Sequence, residues 1–263
     1  MASVSAIISS MIKDSPPGDL ASFKEDLHVI LGESKVDNPE KIVSSSLEEY
    51  QLEEDFQLVP VKGTNELVSK YNKDGVKFSG DGVKFGYDFS KDKAIDIETA
   101  ETESGLSSLA ASFEEYVSSH FPSSYKSYVS RSSTGKIVLI AVDLKHNDAN
   151  YYNGKWQSVY EFDETSGKLN GLIKVKIHYY EDGNVVLATK SQVSETTTLG
   201  NLVAKIQSVE NDFELDILTK FSRLNENLFK NLRRQLPINR SKVQWGKSIK
   251  NYKLGQDVAG GRD

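Results

Sequence analysis

The feature that most constrains the fold is one apolar stripe near the end of the chain. Leu202, Ile206, Val209, Phe213, Ile217, Phe221, Leu224, Leu228 and Leu232 recur at steps of three and four, the spacing of a single helix face. A helix of about 30 residues, rising about 1.5 Å per residue, is about 45 Å long. The strands expected just before it number five. Five strands about 4.8 Å apart span only about 24 Å. Either the helix projects past its sheet, or the sheet continues into a second subunit. An exposed apolar stripe of this length aggregates, so the continued sheet is expected, and the chain alone should be poorly soluble.

The preceding residues read as an α+β order. Ala2 to Lys13 places Ile7, Ile8, Met11 and Ile12 on one helix face, and Pro16-Pro17-Gly18 stops it. Asp19 caps a second helix with the stripe Leu20, Phe23, Leu27, Ile30 and Leu31. Pro39 suits the first turn of a third, continued by Ile42, Val43, Leu47, Tyr50 and Phe56. These lengths predict a small antiparallel bundle. From Val59 the period becomes alternating, with short strands at Val59-Pro60-Val61, Leu67 to Tyr71, Val76 to Phe78 and Val83 to Phe89. The echo of Asp74-Gly75-Val76-Lys77-Phe78 in Asp81-Gly82-Val83-Lys84-Phe85 is too short for a solenoid and fits adjacent strands or chance. Residues 91–105 are polar and acid-rich, as in a flexible loop.

A helix is predicted from Leu106 to Phe121. Strands follow at Tyr125 to Ser130, Lys136 to Asp143, Trp156 to Phe162, Leu172 to Tyr180 and Val185 to Thr189. Thr134-Gly135, Asn153-Gly154, Ser166-Gly167 and Asp182-Gly183 fall at the joints as hairpin turns. The result is an antiparallel meander with one face in need of cover.

Catalytic chemistry finds no foothold in the sequence. The absence of cysteine excludes disulfides, thiolate metal sites and cysteine nucleophiles. Nucleophile-elbow, zinc-protease, dinucleotide and phosphate-loop motifs are missing. His28, His120, His146 and His178 lie on separate elements without metal-ligand spacing. His178 and the plentiful carboxylates are read as structural and solvated groups, and Asp182-Gly183-Asn184 lacks the acid spacing of a calcium loop. No catalytic residue, metal or cofactor is therefore expected. The longest apolar run, Ile137 to Val142, cannot span a bilayer, and the N-terminus lacks a basic signal-peptide region. A soluble intracellular protein is expected.

Functional weight falls on a basic arm. Lys230, Arg233, Arg234, Arg240, Lys242, Lys247, Lys250 and Lys253 occur without one Asp or Glu between positions 230 and 253. The whole chain carries −6, so the remainder carries about −14. Pro237 breaks the long helix, and beyond it Trp245, Ile249 and Tyr252 share a face among lysines. A solvated charged face would interleave acids. An amphipathic segment with aromatic anchors instead fits binding in a groove. Actin, nucleic acid and an anionic membrane all satisfy this pattern.

Two strings, His178-Tyr179-Tyr180-Glu181-Asp182-Gly183-Asn184-Val185 and Phe229-Lys230-Asn231-Leu232-Arg233-Arg234-Gln235-Leu236-Pro237, closely resemble signatures of the F-actin capping protein alpha subunit family. Pro16-Pro17-Gly18, Asn153-Gly154-Lys155-Trp156, Trp245 and Tyr252-Lys253-Leu254-Gly255 resemble it too, and only residues 58–105 match weakly. The resemblance implies an N-terminal helical stalk over 1–57, a mixed strand and helix region with an antiparallel sheet over 58–197, a long helix over 198–236 and a mobile amphipathic tentacle over 237–263. It further implies a sheet shared with a capping protein beta subunit in an obligate heterodimer, with the long helix lying across it. Capping of the F-actin barbed end, without severing or catalysis, follows, as does a cytoplasmic, cytoskeletal location at the cell cortex.

By motif position, Lys230, Arg234 and Arg240 match the family's actin-contacting cations. Arg233, Lys242, Lys247, Lys250 and Lys253 join them on charge, with Trp245, Ile249 and Tyr252 as apolar anchors; Trp245 tucked against the body of the protein is an equal alternative. Asn231 departs from the small residue usual in the motif, and Gly246 softens the segment by about 1 kcal/mol relative to Ala. The alternative is a phosphoinositide-binding module using the same arm. Phosphoinositides and protein regulators of capping are further expected partners; nucleic acid is not.

Overall fold

The computed structural model describes residues 3–15, 17–18, 20–32, 38–89, 91–100, 104–121, 124–147, 152–179 and 185–223. The chain divides into two compact units, Met1–Val209 and Glu210–Asp263. Architecture is α+β, with helices and antiparallel sheets.

Unit one opens with α1 (Val4–Lys13), α2 (Leu20–Gly32) and α3 (Pro39–Glu53). Ser3 caps α1 through Ala6 N–H at 3.2 Å, and Pro39 stands in the first turn of α3. Their core contains Ile8, Ile12, Leu20, Leu27, Leu31, Val43, Leu47 and Tyr50. The predicted stripes are narrower than expected: Ile7 is 50% exposed, Met11 36% and Ile30 56%. In α1 the pair Ile8 and Ile12, four residues apart, takes the packed face, and each preceding residue is turned about 100° from it.

A two-stranded sheet, β1 (Gln57–Val61) with β2 (Thr64–Val68), and a four-stranded sheet come next. The latter runs β3 (Lys73–Asp74), β4 (Lys77–Ser79), β5 (Val83–Asp88), β6 (Lys93–Thr99). The sequence echo is resolved here as adjacent strands, with Phe78 opposite Phe85 and their rings 5.8 Å apart. Val76 sits in the β3–β4 turn, outside the strand predicted for it. The predicted loop over 91–105 is corrected. β6 occupies Lys93–Thr99 because Val83 to Asp88 offers it a partner strand, and its polar residues face solvent.

After a 3-10 turn, α4 (Ser107–His120) leads into β7 (Ser124–Arg131), β8 (Ile137–Lys145), β9 (Tyr152–Asp163), β10 (Lys168–Tyr179) and β11 (Val185–Thr196). These five form one antiparallel meander in the order β11-β10-β9-β8-β7. Gly135 and Gly167 make the β7–β8 and β9–β10 turns at φ 81° and 67°, which a side chain would strain. Asn153-Gly154 is no turn: both residues lie within β9, and Gly154 pairs with Lys145 on one side and Ile177 on the other. On one sheet face Val138, Ile140 and Val142 pack with Phe56 and Leu67. The alternate residues Ile137, Leu139, Tyr160, Phe162, Leu169 and Ile173 are also buried. On that second face Glu114 of α4 accepts a hydrogen bond from Ser127 of β7.

The last described helix, α5 (Leu202–Arg223), continues across the division between the units. In unit one Leu202 and Ile206 are fully buried, and Lys205 pairs with Glu195 of β11 at 2.8 Å. In unit two Leu215 and Leu218 are 63% and 64% exposed. The predicted continuation through Leu232 lies outside the described residues.

Candidate functional site

Polar side chains fix the helical layer onto the large sheet. Lys155 and Gln157 of β9 stand across the ladder from Lys176 and Lys174 of β10. They meet the C-terminal end of α3, where unpaired carbonyls and the helix dipole favour cations. Lys155 Nζ donates to Phe56 O at 2.5 Å and pairs with Asp55 at 2.7 Å. Gln157 accepts from Phe56 N–H at 2.8 Å and donates to Glu54 O at 3.3 Å. Lys174 donates to Glu54 O at 3.0 Å and to its carboxylate at 2.8 Å. Lys176 reaches Lys13 O at the end of α1, at 2.8 Å, and Tyr50 OH at 2.9 Å.

Two lysines directly opposed on a ladder would repel. Asp55 and Glu54 offset that charge. The Lys174 hydrogen bond holds the Glu54 carboxyl below its ordinary range, while burial lowers Lys176 and raises the Tyr50 hydroxyl. This clamp escaped the sequence reading. Its trace was there: Lys174 and Lys176 occupy every second place among Ile173, Val175 and Ile177.

The four histidines stand on separate parts of the fold. His28 is exposed on α2, and His178 is buried in β10 opposite Asn153 and Val186. His120 lies tilted against the Tyr116 ring at 5.4 Å and edge-on to Phe121 at 4.7 Å. Among the described residues no three His, Cys, Asp or Glu side chains could hold a metal, and no helix is long and apolar enough to cross a membrane. On β8, burial raises the Asp143 carboxyl to about 6.

Lys230, Arg233, Arg234, Arg240, Lys242, Trp245, Lys247, Ile249, Lys250, Tyr252 and Lys253 all lie outside the described residues, as does the Asp182-Gly183-Asn184 turn. The described chain ends on α5, seven residues before Lys230. In the large sheet, β11 is a 12-residue strand paired with β10 alone among the described residues. One row of its backbone donors and acceptors is therefore open to a further strand.

Fold and surface together define an α+β chain with an open sheet edge, of the architecture seen in a solved homodimeric actin capping protein alpha subunit from Plasmodium berghei. That structure superposes with a TM-score of 0.70 at 21% identity, covering 89% of this chain and 97% of the other. The family model for the F-actin capping protein alpha subunit matches residues 8–257, and the chain belongs to that family. Similar curated proteins named F-actin-capping protein subunit alpha come from Candida glabrata (38% identical), Yarrowia lipolytica (39%) and Saccharomyces cerevisiae (35%), each covering 97% of both chains.

Proposed function

We propose that this chain is the alpha subunit of a heterodimeric F-actin capping protein that binds filament barbed ends and blocks subunit addition and loss without severing. The observation that carries the reading is the family match over residues 8–257. Capping requires occupancy of the filament end, not bond chemistry, so no enzymatic activity is assigned. The protein acts in the cytoplasm, on the actin cytoskeleton, with the cell cortex as its principal site.

A beta subunit is the partner. Support comes from the open edge of β11 and from apolar side chains left in solvent: Val4, Ile7 and Met11 on α1, Val29 and Ile30 on α2, and Leu215 and Leu218 on α5. Such surfaces are characteristic of chains that are completed by another subunit. The solved relative is itself a two-chain assembly.

In this mechanism Lys230, Arg234 and Arg240, with Arg233, supply the cations that steer the chain to an acidic filament end. Lys242, Lys247, Lys250 and Lys253 extend the field, while Trp245, Ile249 and Tyr252 provide apolar anchors that slow dissociation. The organisation proposed is stalk 1–57, sheet region 58–197, long helix 198–236 and tentacle 237–263. Phosphoinositides and protein regulators compete for the same basic arm; a purely lipid-binding role is the less supported reading. Co-expression with a beta subunit and deletion of residues 238–263 tests the assignment. The heterodimer should persist while barbed-end capping falls. Full capping by the truncated heterodimer would refute the role of the arm.

A further inference from the structure

The outer edge of the large sheet, opposite β11, also ends in a strand with an unpaired side. Among the described residues β7 pairs with β8 alone. In an antiparallel strand bonded on one side, alternate residues turn their N–H and C=O groups outward. Edges of this kind are normally guarded by proline, a bulge or an inward charge. β7, Ser-Tyr-Lys-Ser-Tyr-Val-Ser-Arg, has no proline and pairs in unbroken register from Ser124 to Arg131. Its Lys126 is already committed to the buried Glu66, at 3.2 Å.

An open cleft of about 630 Å³ runs beside this edge, lined by five consecutive β7 residues, Tyr125 to Val129. Five extended residues span about 17 Å. One wall is α4, which contributes Ser107, Ala110, Ala111 and Glu114. These fall at steps of three and four, so they form one helix face, and three of the four are small. Phe113, Tyr116 and Val117 of α4 are buried instead. The other wall is the β1–β2 hairpin with the β4–β5 turn. It is pinned to β7 by Asn65 donating to Ser124 at 2.8 Å and by the Lys126–Glu66 pair. Asp81 N–H donates to Glu66 at 3.3 Å, which holds the turn against the same carboxylate. The walls are therefore fixed, while the strand edge between them stays open.

Charge indicates what fills it. Asp81 and Glu114 line the cleft, and neither has a cationic partner among the described residues. We propose that the β7–α4 cleft receives an extended, Lys- or Arg-bearing segment of a partner protein, which adds to β7 as a further strand. Main-chain hydrogen bonds to β7 would hold the segment. The small residues of α4 leave room for its side chains, and the carboxylates of Asp81 and Glu114 select its cations. This surface lies at the sheet edge opposite β11, so it can be occupied without covering β11.

The test uses the full heterodimer. A random dodecapeptide display library is selected on wild type, and the recovered peptides are measured by fluorescence anisotropy. Two variants are compared: Ala111→Arg, which fills the cleft from the exposed helix wall, and Asp81→Lys, which reverses its charge at an exposed turn. Circular dichroism and barbed-end capping of both variants should match wild type. The expected peptides are enriched in Lys and Arg, and contain no proline in their central five positions. They should lose about tenfold or more in affinity to Ala111→Arg and weaken about threefold or more with Asp81→Lys. Peptides that ignore Ala111→Arg, prefer acidic residues or are not recovered at all would overturn the proposal. So would a synthetic peptide of residues 238–253 showing the same Ala111→Arg sensitivity, or self-association abolished by that variant. These last results would replace the partner protein by the chain's own arm or by a second copy.

Discussion

Replacing Lys155 with Met should show that the sheet holds the helical layer electrostatically. The Lys155 side chain is 6% exposed and Asp55 21%, and their charged atoms are 2.7 Å apart. Methionine keeps most of the volume but strands the carboxylate and deprives Phe56 O of its donor at 2.5 Å. Breaking a fully buried pair costs about 3–5 kcal/mol. Water reaches one-fifth of Asp55, so about 2–4 kcal/mol is expected. Removing both partners, with Lys155→Met and Asp55→Leu together, should recover at least about 2 kcal/mol of that loss as coupling energy. Lys174→Met is the internal control. Its Glu54 partner is 47% exposed, and the loss should stay near 1 kcal/mol. Equilibrium urea unfolding of the heterodimer at fixed protein concentration reads wild type, Lys155→Met, Asp55→Leu, the double variant and Lys174→Met. A Lys155→Met change below about 0.5 kcal/mol, or a Lys174→Met loss as large as that of Lys155→Met, would refute the clamp.

Gly171→Ala should destabilise by about 1–3 kcal/mol, because its Cβ would meet the fully buried Tyr160 ring at 2.4 Å; thermal unfolding checks this. Asp143→Asn should stabilise at neutral pH. Burial raises its folded carboxyl from 3.8 to about 6, so the native state gains from protonation below pH 3.8 and loses that advantage as pH rises through 6. Because the group is only half-buried, the variant's gain should approach about 1–2 kcal/mol by pH 7 and vanish near pH 3.5, as read from urea midpoints across that range. Arg234→Ala should weaken barbed-end affinity by about 1–3 kcal/mol, measured from elongation rates against heterodimer concentration.

Much of the fold was legible because two periods dominate it. Ile8 and Ile12, Leu27 and Leu31 mark helix faces, and the continuous apolar run Ile137–Val142 marks a strand buried on both faces. Errors came where a local signal had two solutions. Asn153-Gly154 has the composition of a hairpin turn, yet strands on both sides hold it extended. In the run Lys93–Thr99 the alternating Ile95 and Ile97 stay exposed and only Ala94 is buried, so its pattern does not match a core strand. Ile7 and Ile8 are chemically equal, and only the position of a neighbouring helix decides which is buried. The clamp was hidden because Lys155 reads as a surface cation until Asp55, a hundred residues earlier, is placed beside it. The β7–α4 cleft was hidden for another reason: an open strand edge is a property of topology, and Ala110 and Ala111 look like ordinary helix formers. The basic arm was conspicuous in sequence because charge without interleaved acids needs no tertiary information.

The central assignment is tested most directly by watching labelled actin elongate from filament barbed ends in the presence of this chain co-purified with a beta subunit. Elongation should stop at individual ends and remain stopped for the lifetime of the bound heterodimer, while pointed ends continue and filaments are not cut. Barbed ends that keep growing at the uncapped rate, with saturating heterodimer present, would contradict it.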